Sequence, residues 1–382
     1  MKILAWFIGF IFLILTGFML LTAGWEAPPM DSEQSGFRGT GMVQVSNPRV
    51  DPARLQAQLE MVPEISPLPE DGGGPRAGDI YQNVQVLGDL SVARFTRIMQ
   101  QMTEWVTPEE GCAGCHVLNN LADDSVYRKD VSRHMIRMTQ AINSGWENHV
   151  QATGVTCYTC HRGQNVPEYT WFNADPAAES GRGLVGWRAG QNRAAEQVGL
   201  TSLPEDPFGD YLEGTDEIRI AGRTALPEAD KPGTSIQHTE ETYALMMHMS
   251  TSLDVNCTYC HNSRDFGSWE QSNPARVSAY HGIRMAQTLN LEHVAPVSDL
   301  LPPDRLGPTG EGRKVNCTTC HQGVNKPLGG LQMAENFPSL YGESVSSQAS
   351  AEREEQSGEL VSAIPGSGNP VGTAPDSPAG PR

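Results

Sequence analysis

The chain has 382 residues, a formal net charge of −18, 38% apolar residues and eight cysteines. That length gives room for one large domain or two modest ones. Such acidity argues against nucleic acid as a partner and suits a basic protein, because complementary fields speed encounter; it also serves plain solubility.

Taken in chain order, Ile3 to Ala23 (ILAWFIGFIFLILTGFMLLTA) is an uncharged run. As a helix it is about 31 Å long, enough to span a bilayer. Trp6 and Trp25 stand near its two ends, as interfacial anchors do. A signal peptide is the competing reading, but its apolar run is usually shorter. Residues 1–25 are therefore expected to be an uncleaved transmembrane anchor, with Lys2 favouring the N-terminus inside and the bulk outside. Residues 26–77, rich in Pro, Gly and polar residues (EAPPMDSEQSG, SPLPEDGGGP), read as an irregular connector.

Val92, Phe95, Ile98/Met99, Met102 and Trp105/Val106 recur at helical period behind a possible N-cap at Ser91. Asp130 to Ser144 does the same through Met135, Met138 and Ile142, and Thr242 to Leu253 repeats the first helix. Ser272-Asn273-Pro274 starts a fourth helix, with Pro in its first turn. The insert, residues 168–240, has few periodic apolar runs and reads as loops and short elements. The last segment, residues 343–382, is a low-complexity tail of disordered composition.

The eight cysteines form four C-x-x-C pairs: Cys112/Cys115, Cys157/Cys160, Cys257/Cys260 and Cys317/Cys320. Each pair is followed at once by a histidine, His116, His161, His261 or His321, in a chain with only ten. Disulfide frameworks and zinc ribbons do not require that histidine; C-x-x-C-H is the attachment signature of c-type haem. Two thiols add to the haem vinyl groups, and the adjacent imidazole becomes the proximal iron ligand. Four covalent haem c groups are expected, in a compartment outside the cytoplasm.

The haem region repeats internally. CYTCHRGQNVP (157–167) matches CTTCHQGVNKP (317–327) at seven of eleven positions. HMIRMTQAIN (134–143) matches HGIRMAQTLN (281–290) at six of ten. RIMQQMT (97–103) parallels ALMMHMS (244–250). Residues 78–167 form one half, with haems 1 and 2, and residues 241–342 the other, with haems 3 and 4. The expected fold is mainly α: a multihaem cytochrome with pseudo-twofold internal duplication, much irregular loop and one N-terminal transmembrane helix.

Each iron needs a distal ligand. Met99 and Met246 occupy the same repeat position and are assigned to haems 1 and 3, with Met247 as the rival of Met246; Met135 is assigned to haem 2. For any single helical Met, core packing is the commoner role, and that role suits Met102, Met138, Met249 and Met285. Gly282 stands where Met135 stands in the other half, so haem 4 lacks that ligand. Met285 in a shifted register or a histidine must replace it. His149, in WENHVQATGVTCYTC, is the leading candidate, and His238, His248 and His293 stay open; His134 and His281 repeat one another and look structural. Arg137, Arg276 and Arg284 are candidate propionate partners.

These residues closely resemble the tetrahaem cytochrome subunit of purple-bacterial photosynthetic reaction centres. The likeness covers about 36–342 and includes YQNVQVLGDLS, EWVTPEEGC, GVTCYTCHRG, YALMMHMS, VNCTYCHN, HGIRM and CHQGVNKPLGG. It implies three His/Met haems and one bis-His haem, with the methionine ligands on Met99, Met135 and Met246 and the distal histidine on His149. It implies an electron carrier, not an enzyme, on the periplasmic side of the photosynthetic membrane. Electrons would pass from a soluble cytochrome c or high-potential iron–sulfur protein to the photo-oxidised bacteriochlorophyll special pair. The implied partners are the core subunits L and M, with H as a further candidate, and the surrounding light-harvesting antenna. The haem of the third motif would lie nearest the special pair and that of the first far out, near Glu109 and Glu110. Many members carry a lipidated cysteine after the apolar segment, whereas LLTAGWEAPP has none, so an uncleaved helix is the expected substitute. The alternative is a membrane-anchored tetrahaem quinol dehydrogenase, which would favour four bis-His haems. A catalytic multihaem reductase would need an open iron position.

Overall fold

Helix α1 (Lys2–Thr22) follows directly from the uncharged apolar run. Leu4–Thr22 is long and apolar enough to cross a membrane by length and composition, a test that a signal sequence also passes. Its side chains project outward, with Trp6 83% and Leu13 73% exposed. At roughly 25 cal/mol per Å² of apolar surface, such a helix is stable only against lipid or partner helices. The computed structural model describes residues 2–22, 30–36, 41–173, 194–216, 218, 224 and 235–342. Trp25, the middle of the insert and the tail from 343 lie outside the described residues.

The connector is more ordered than its composition predicts. Strands β1 (Asp31–Gln34) and β2 (Val43–Ser46) pair antiparallel, Asp31 opposite Ser46 and Gln34 opposite Val43. Asn256 Nδ2 and Thr258 Oγ1 both donate to the Val43 carbonyl at 2.6 Å, and the Val45 N–H donates to Asn256 Oδ1 at 3.1 Å. Helix α2 (Asp51–Glu60) follows, with Pro52 in its first turn. Its Arg54 pairs with Asp254 and donates to the Gly323 carbonyl at 3.0 Å, while Gln58 donates to the Gln322 carbonyl at 2.9 Å. These partners lie 200 or more residues away in sequence, so local composition gives no sign of them.

The body is mainly helical with long irregular loops. Helix α3 spans Val92–Val106, although the Ser91 hydroxyl makes no cap bond. Helix α4 spans Tyr127–Gly145 and is followed by the single turn α5 (Glu147–Val150) and the short helix α6 (Cys157–His161). Helix α7 (Ile236–Leu253) starts before the periodic apolar positions, because Ser235 Oγ accepts the His238 N–H at 3.1 Å. Helix α8 (Ala275–Thr288) follows Pro274, and α9 is Cys317–His321.

Two apolar clusters hold the body. The first joins Ile98 and Trp105 of α3, Ile136 of α4 and Tyr158 of α6 to Phe337 and Leu340. Phe337 meets Trp105 edge-on at 4.7 Å and carries the Arg97 guanidinium 4.0 Å above its ring. Buried Arg97 also donates to the carbonyls of Ser66 and Asn336. The segment after the fourth motif thus folds back onto the first half. The second cluster joins Leu245 of α7 and Ile283 and Ala286 of α8 to Trp171, Phe208, Tyr211 and Leu212. Those last four belong to the insert, in which the π turn Gly209–Glu213 is too short to show periodicity.

Candidate functional site

The four motifs take two local forms. The first and third lie on single 3₁₀ turns, Gly111–Gly114 and Cys257–Tyr259, with Cys112 and Cys257 exposed and Cys115 and Cys260 half-buried. The second and fourth are the helices α6 and α9, with Cys157 buried and Cys317 half-buried. In every motif the histidine Nδ1 meets a backbone carbonyl: His116 with Leu121 at 3.2 Å, His161 with Gln164 at 2.8 Å, His261 with Phe266 at 3.1 Å, and His321 with Val324 at 3.1 Å. A carbonyl can only accept, so each Nδ1 carries the hydrogen and each Nε2 keeps its lone pair for a metal. Burial lowers the pKa of all four, His321 to about 4. Neutral imidazole is the ligating form.

Local chemistry explains α6 and α9. Thr159 Oγ1 accepts the Thr156 N–H at 3.0 Å, and Thr319 Oγ1 accepts the Asn316 N–H at 3.0 Å. Arg162 and Gln322 then turn left-handed, at φ 51° and 50°, and end the helices. The next residues, Gly163 and Gly323, also have positive φ; their N–H groups donate to Trp105 on α3 and Ser252 on α7, at 2.9 and 2.8 Å. Two buried asparagines fix the approach. Asn143 at the end of α4 donates to the carbonyls of Val155 and Leu340, both at 2.9 Å, and accepts the Val155 N–H at 2.7 Å. Asn290, just past α8, donates to the carbonyls of Val315 and Leu212, both at 3.0 Å, and accepts the Val315 N–H at 2.8 Å. Val155 and Val315 each lie two residues before the first cysteine of a motif. The sequence reading missed both asparagines, although Asn ends both copies of the repeated decapeptide.

The assigned methionines are half-buried on three helices. Met99 and Met102 of α3 pack against the first cluster, and Met246 and Met249 of α7 against the second; Met135 lies on α4. Met247 contacts the insert. Its methyl carbon would sit 3.2 Å from a Cβ built on Gly199, so it packs on the insert.

His149 approaches the histidine of the fourth motif. His149 on α5 lies with its ring centre 6.0 Å from that of His321, the planes inclined at 67°. Its Nδ1–H donates to the Ser278 carbonyl of α8 at 2.9 Å, leaving Nε2 available. Burial lowers its pKa, as it does for His321. His149 packs directly on Gly282: a Cβ there would come within 2.6 Å of Cε1. Glycine inside a helix is less stable than alanine by about 0.5–1 kcal/mol.

The other spare histidines have protein partners. His248 is 1% exposed, with Nδ1 on the Gln197 carbonyl at 2.9 Å and Nε2 facing the Ser252 hydroxyl at 3.3 Å. His238 Nδ1 contacts Ser235 Oγ at 2.6 Å, and His134 Nδ1 contacts the Asp130 carbonyl at 3.0 Å. Of the arginines, Arg276 lies 4.0 Å above the Trp269 ring and donates to the Ser268 carbonyl and Ser272 hydroxyl, both at 2.8 Å. Arg284 donates to Gln287 at 2.9 Å, and Arg137 is exposed.

Two contacts at the cysteines bear on haem attachment. Cys160 and Cys320 are joined to each other as a disulfide, with Cα atoms 4.4 Å apart, while the other six cysteines are free of disulfides. A sulfur in that bond cannot also be a haem thioether. The reason is spatial: the second cysteines of α6 and α9 face each other where these helices meet, and Arg162 crosses the junction to the Cys320 carbonyl at 3.3 Å. Cys115 makes the second contact. Its thiol shares a hydrogen bond with the Ser132 hydroxyl of α4, at 3.5 Å. The cause is again packing: Cys112 is exposed, whereas Cys115, three residues on, faces α4. A thioether has no S–H to donate, so haem attachment at Cys115 gives up any donation to Ser132 and leaves the sulfur a weak acceptor only.

Apart from these two contacts, the donor set suits covalent haem. Paired thiols precede imidazoles with a free Nε2, and among the described residues no group of three or more His, Cys, Asp or Glu is arranged as a metal cluster. The family model for the photosynthetic reaction centre cytochrome c subunit matches residues 26–341. The chain belongs to this family. Proteins named photosynthetic reaction center cytochrome c subunit are similar to it over most of its length. That of Rubrivivax gelatinosus is 51% identical over 334 residues, covering 87% of this chain and 89% of its own. That of Thermochromatium tepidum is 46% identical over 341 residues, covering 89% and 81%. That of Roseobacter denitrificans is 42% identical over 319 residues, covering 81% and 85%. Membership in this cytochrome family implies covalently bound c-type haem.

Proposed function

We propose that this chain is the electron-transfer subunit of a photosynthetic reaction centre. In this reading it holds four haems and passes electrons from a soluble periplasmic donor to the photo-oxidised special pair of the core. The observation that carries the reading is the set of four C-x-x-C-H motifs, each with its imidazole Nδ1 on a backbone carbonyl. Each bound haem supplies a one-electron iron couple. The four motif histidines present Nε2 to the metal, and the cysteines fix the ring covalently. Met99, Met135 and Met246 complete haems 1 to 3 and raise their potentials, because thioether favours the reduced state relative to imidazole. His149 completes haem 4, which is therefore lower in potential than a Met-ligated haem in like surroundings.

Thioethers at all eight cysteines require Cys160 and Cys320 as thiols. In this reading Cys160 and Cys320 would be held as thiols and would each tether a haem. Internal duplication is supported by bonds that recur between the halves. Gly163 to Trp105 mirrors Gly323 to Ser252, and Asn143 to Val155 mirrors Asn290 to Val315.

We infer that α1 stays attached as a membrane anchor, with the haem region in the periplasm against core subunits L and M, and H as a further contact. The hairpin β1–β2, clamped on Asn256 and Thr258, begins nine residues after α1 ends. Nine residues reach at most about 32 Å. That tether supports the third haem lying on the membrane side, nearest the special pair.

Redox titration with axial-ligand spectroscopy tests the whole reading. One bis-His and three His/Met haems are expected; four bis-His haems would favour the quinol dehydrogenase instead.

A further inference from the structure

We propose that Gly282 is a positioning residue for the fourth haem: its bare Cα is the slot that admits the His149 ring, and so selects imidazole over thioether as the distal ligand there. This rests on the ligand reading above. A Cβ at position 282 would meet His149 Cε1 at 2.6 Å, Nδ1 at 2.9 Å and Nε2 at 3.2 Å, and these three ring atoms are its nearest neighbours. The backbone does not require glycine, because Gly282 lies inside α8 and is absent from the positive-φ residues. One turn earlier on the same helix, the Ser278 carbonyl takes the Nδ1–H of that ring at 2.9 Å. Helix α8 therefore grips His149 twice, by a carbonyl at one turn and by a gap at the next. The grip leaves Nε2 available and the ring 6.0 Å from His321. At the matching place in the repeat, on α4, stands Met135.

The test uses the intact membrane complex carrying Gly282→Ala, His149→Ala, both together, or Gly282→Met. Electron paramagnetic resonance, near-infrared spectra and redox titration are the readouts. Gly282→Ala should abolish the bis-His signature of one haem in four and leave the three His/Met signatures in place. In the His149→Ala background it should change the spectra no further, as expected when two residues act through one contact. Gly282→Met should give a fourth His/Met signature and raise that haem's potential. A bis-His signature and potential unchanged by Gly282→Ala would overturn the proposal. So would an equal fall in thermal midpoint, or failure to assemble, with and without His149, since the glycine would then serve helix packing alone. Assembly of the double variant where Gly282→Ala alone fails would support it. If the unaltered protein has no bis-His haem, the ligand reading falls; if it has one that survives Gly282→Ala, only the role of the glycine falls.

Discussion

Asn143 and Asn290 make the same pair of backbone bonds in two places, each clasping both polar atoms of one valine, Val155 or Val315. Each spends its remaining Nδ2 hydrogen on a different distant carbonyl, Leu340 for Asn143 and Leu212 for Asn290. The two clasps set where α6 and α9 begin relative to the helices before them.

Both side chains are at most 2% exposed. Truncation leaves a valine N–H and two carbonyls without partners, at about 1–3 kcal/mol for a buried group. Asn143→Ala and Asn290→Ala should each destabilise the protein by roughly 2–3 kcal/mol. Thermal unfolding checks the size. Haem spectroscopy checks the place: the second haem should respond to Asn143→Ala and the fourth to Asn290→Ala. A response of all four haems to either change would contradict local clasps.

Peptide mapping of the mature complex under non-reducing conditions should find haem on the peptides containing Cys157–Cys160 and Cys317–Cys320. The peptide containing Cys112 and Cys115 should carry haem through both sulfurs, with Ser132 no longer bonded to a thiol. A Cys160–Cys320 cross-linked peptide free of haem in the mature complex would leave those motifs incompletely attached and reduce the number of doubly tethered haems.

The Glu241 carboxyl, half-buried on α7, is pushed up to about 7 by burial and by the nearby Asp210, Asp216 and Glu240, against a weaker bond from Gln237. A raised carboxyl contributes stability that is complete below about 4.5 and lost as pH rises through about 7. Glu241→Gln should therefore raise the thermal midpoint at pH 8 more than at pH 5. After discounting for solvent screening, the gain at pH 8 is about 1 kcal/mol. Equal shifts at both pH values would assign the effect to packing.

Re-reduction of the complex by a basic soluble cytochrome should slow as ionic strength rises, because the chain carries a net charge of −18. Glu110 is already paired with Arg128. Charge reversal at exposed Glu109 should therefore slow the reaction at low salt more than reversal at Glu110. A rate indifferent to salt would count against a charged docking surface.

The haem motifs and the helices before them were legible because their signals are local. Four C-x-x-C-H pentapeptides need no context, and α3 ends on the residues that periodicity predicts. The hairpin, α2 and the π turn of the insert were not legible. They are ordered by Asn256, Thr258, Gln322 and the second apolar cluster, all remote in sequence. Gly282 was legible only as an absence, since its use depends on a ring arriving from α5. The disulfide was not expected, because spacing alone cannot show that Cys160 and Cys320 face each other. Nor can spacing show that the Cys115 thiol meets Ser132, since that contact depends on how α4 packs over the first motif.

The hairpin that follows α1 has a consequence for biosynthesis. Its clamp, Asn256 and Thr258, is made about 210 residues later, so during synthesis the residues of the first two motifs emerge before the hairpin can dock. Haems 1 and 2 would be inserted on a slack leash, and haems 3 and 4 on one about to tighten. Closing so long a loop is a late folding event. Docking of the leash would then act as a checkpoint: it can occur only after the third motif has emerged.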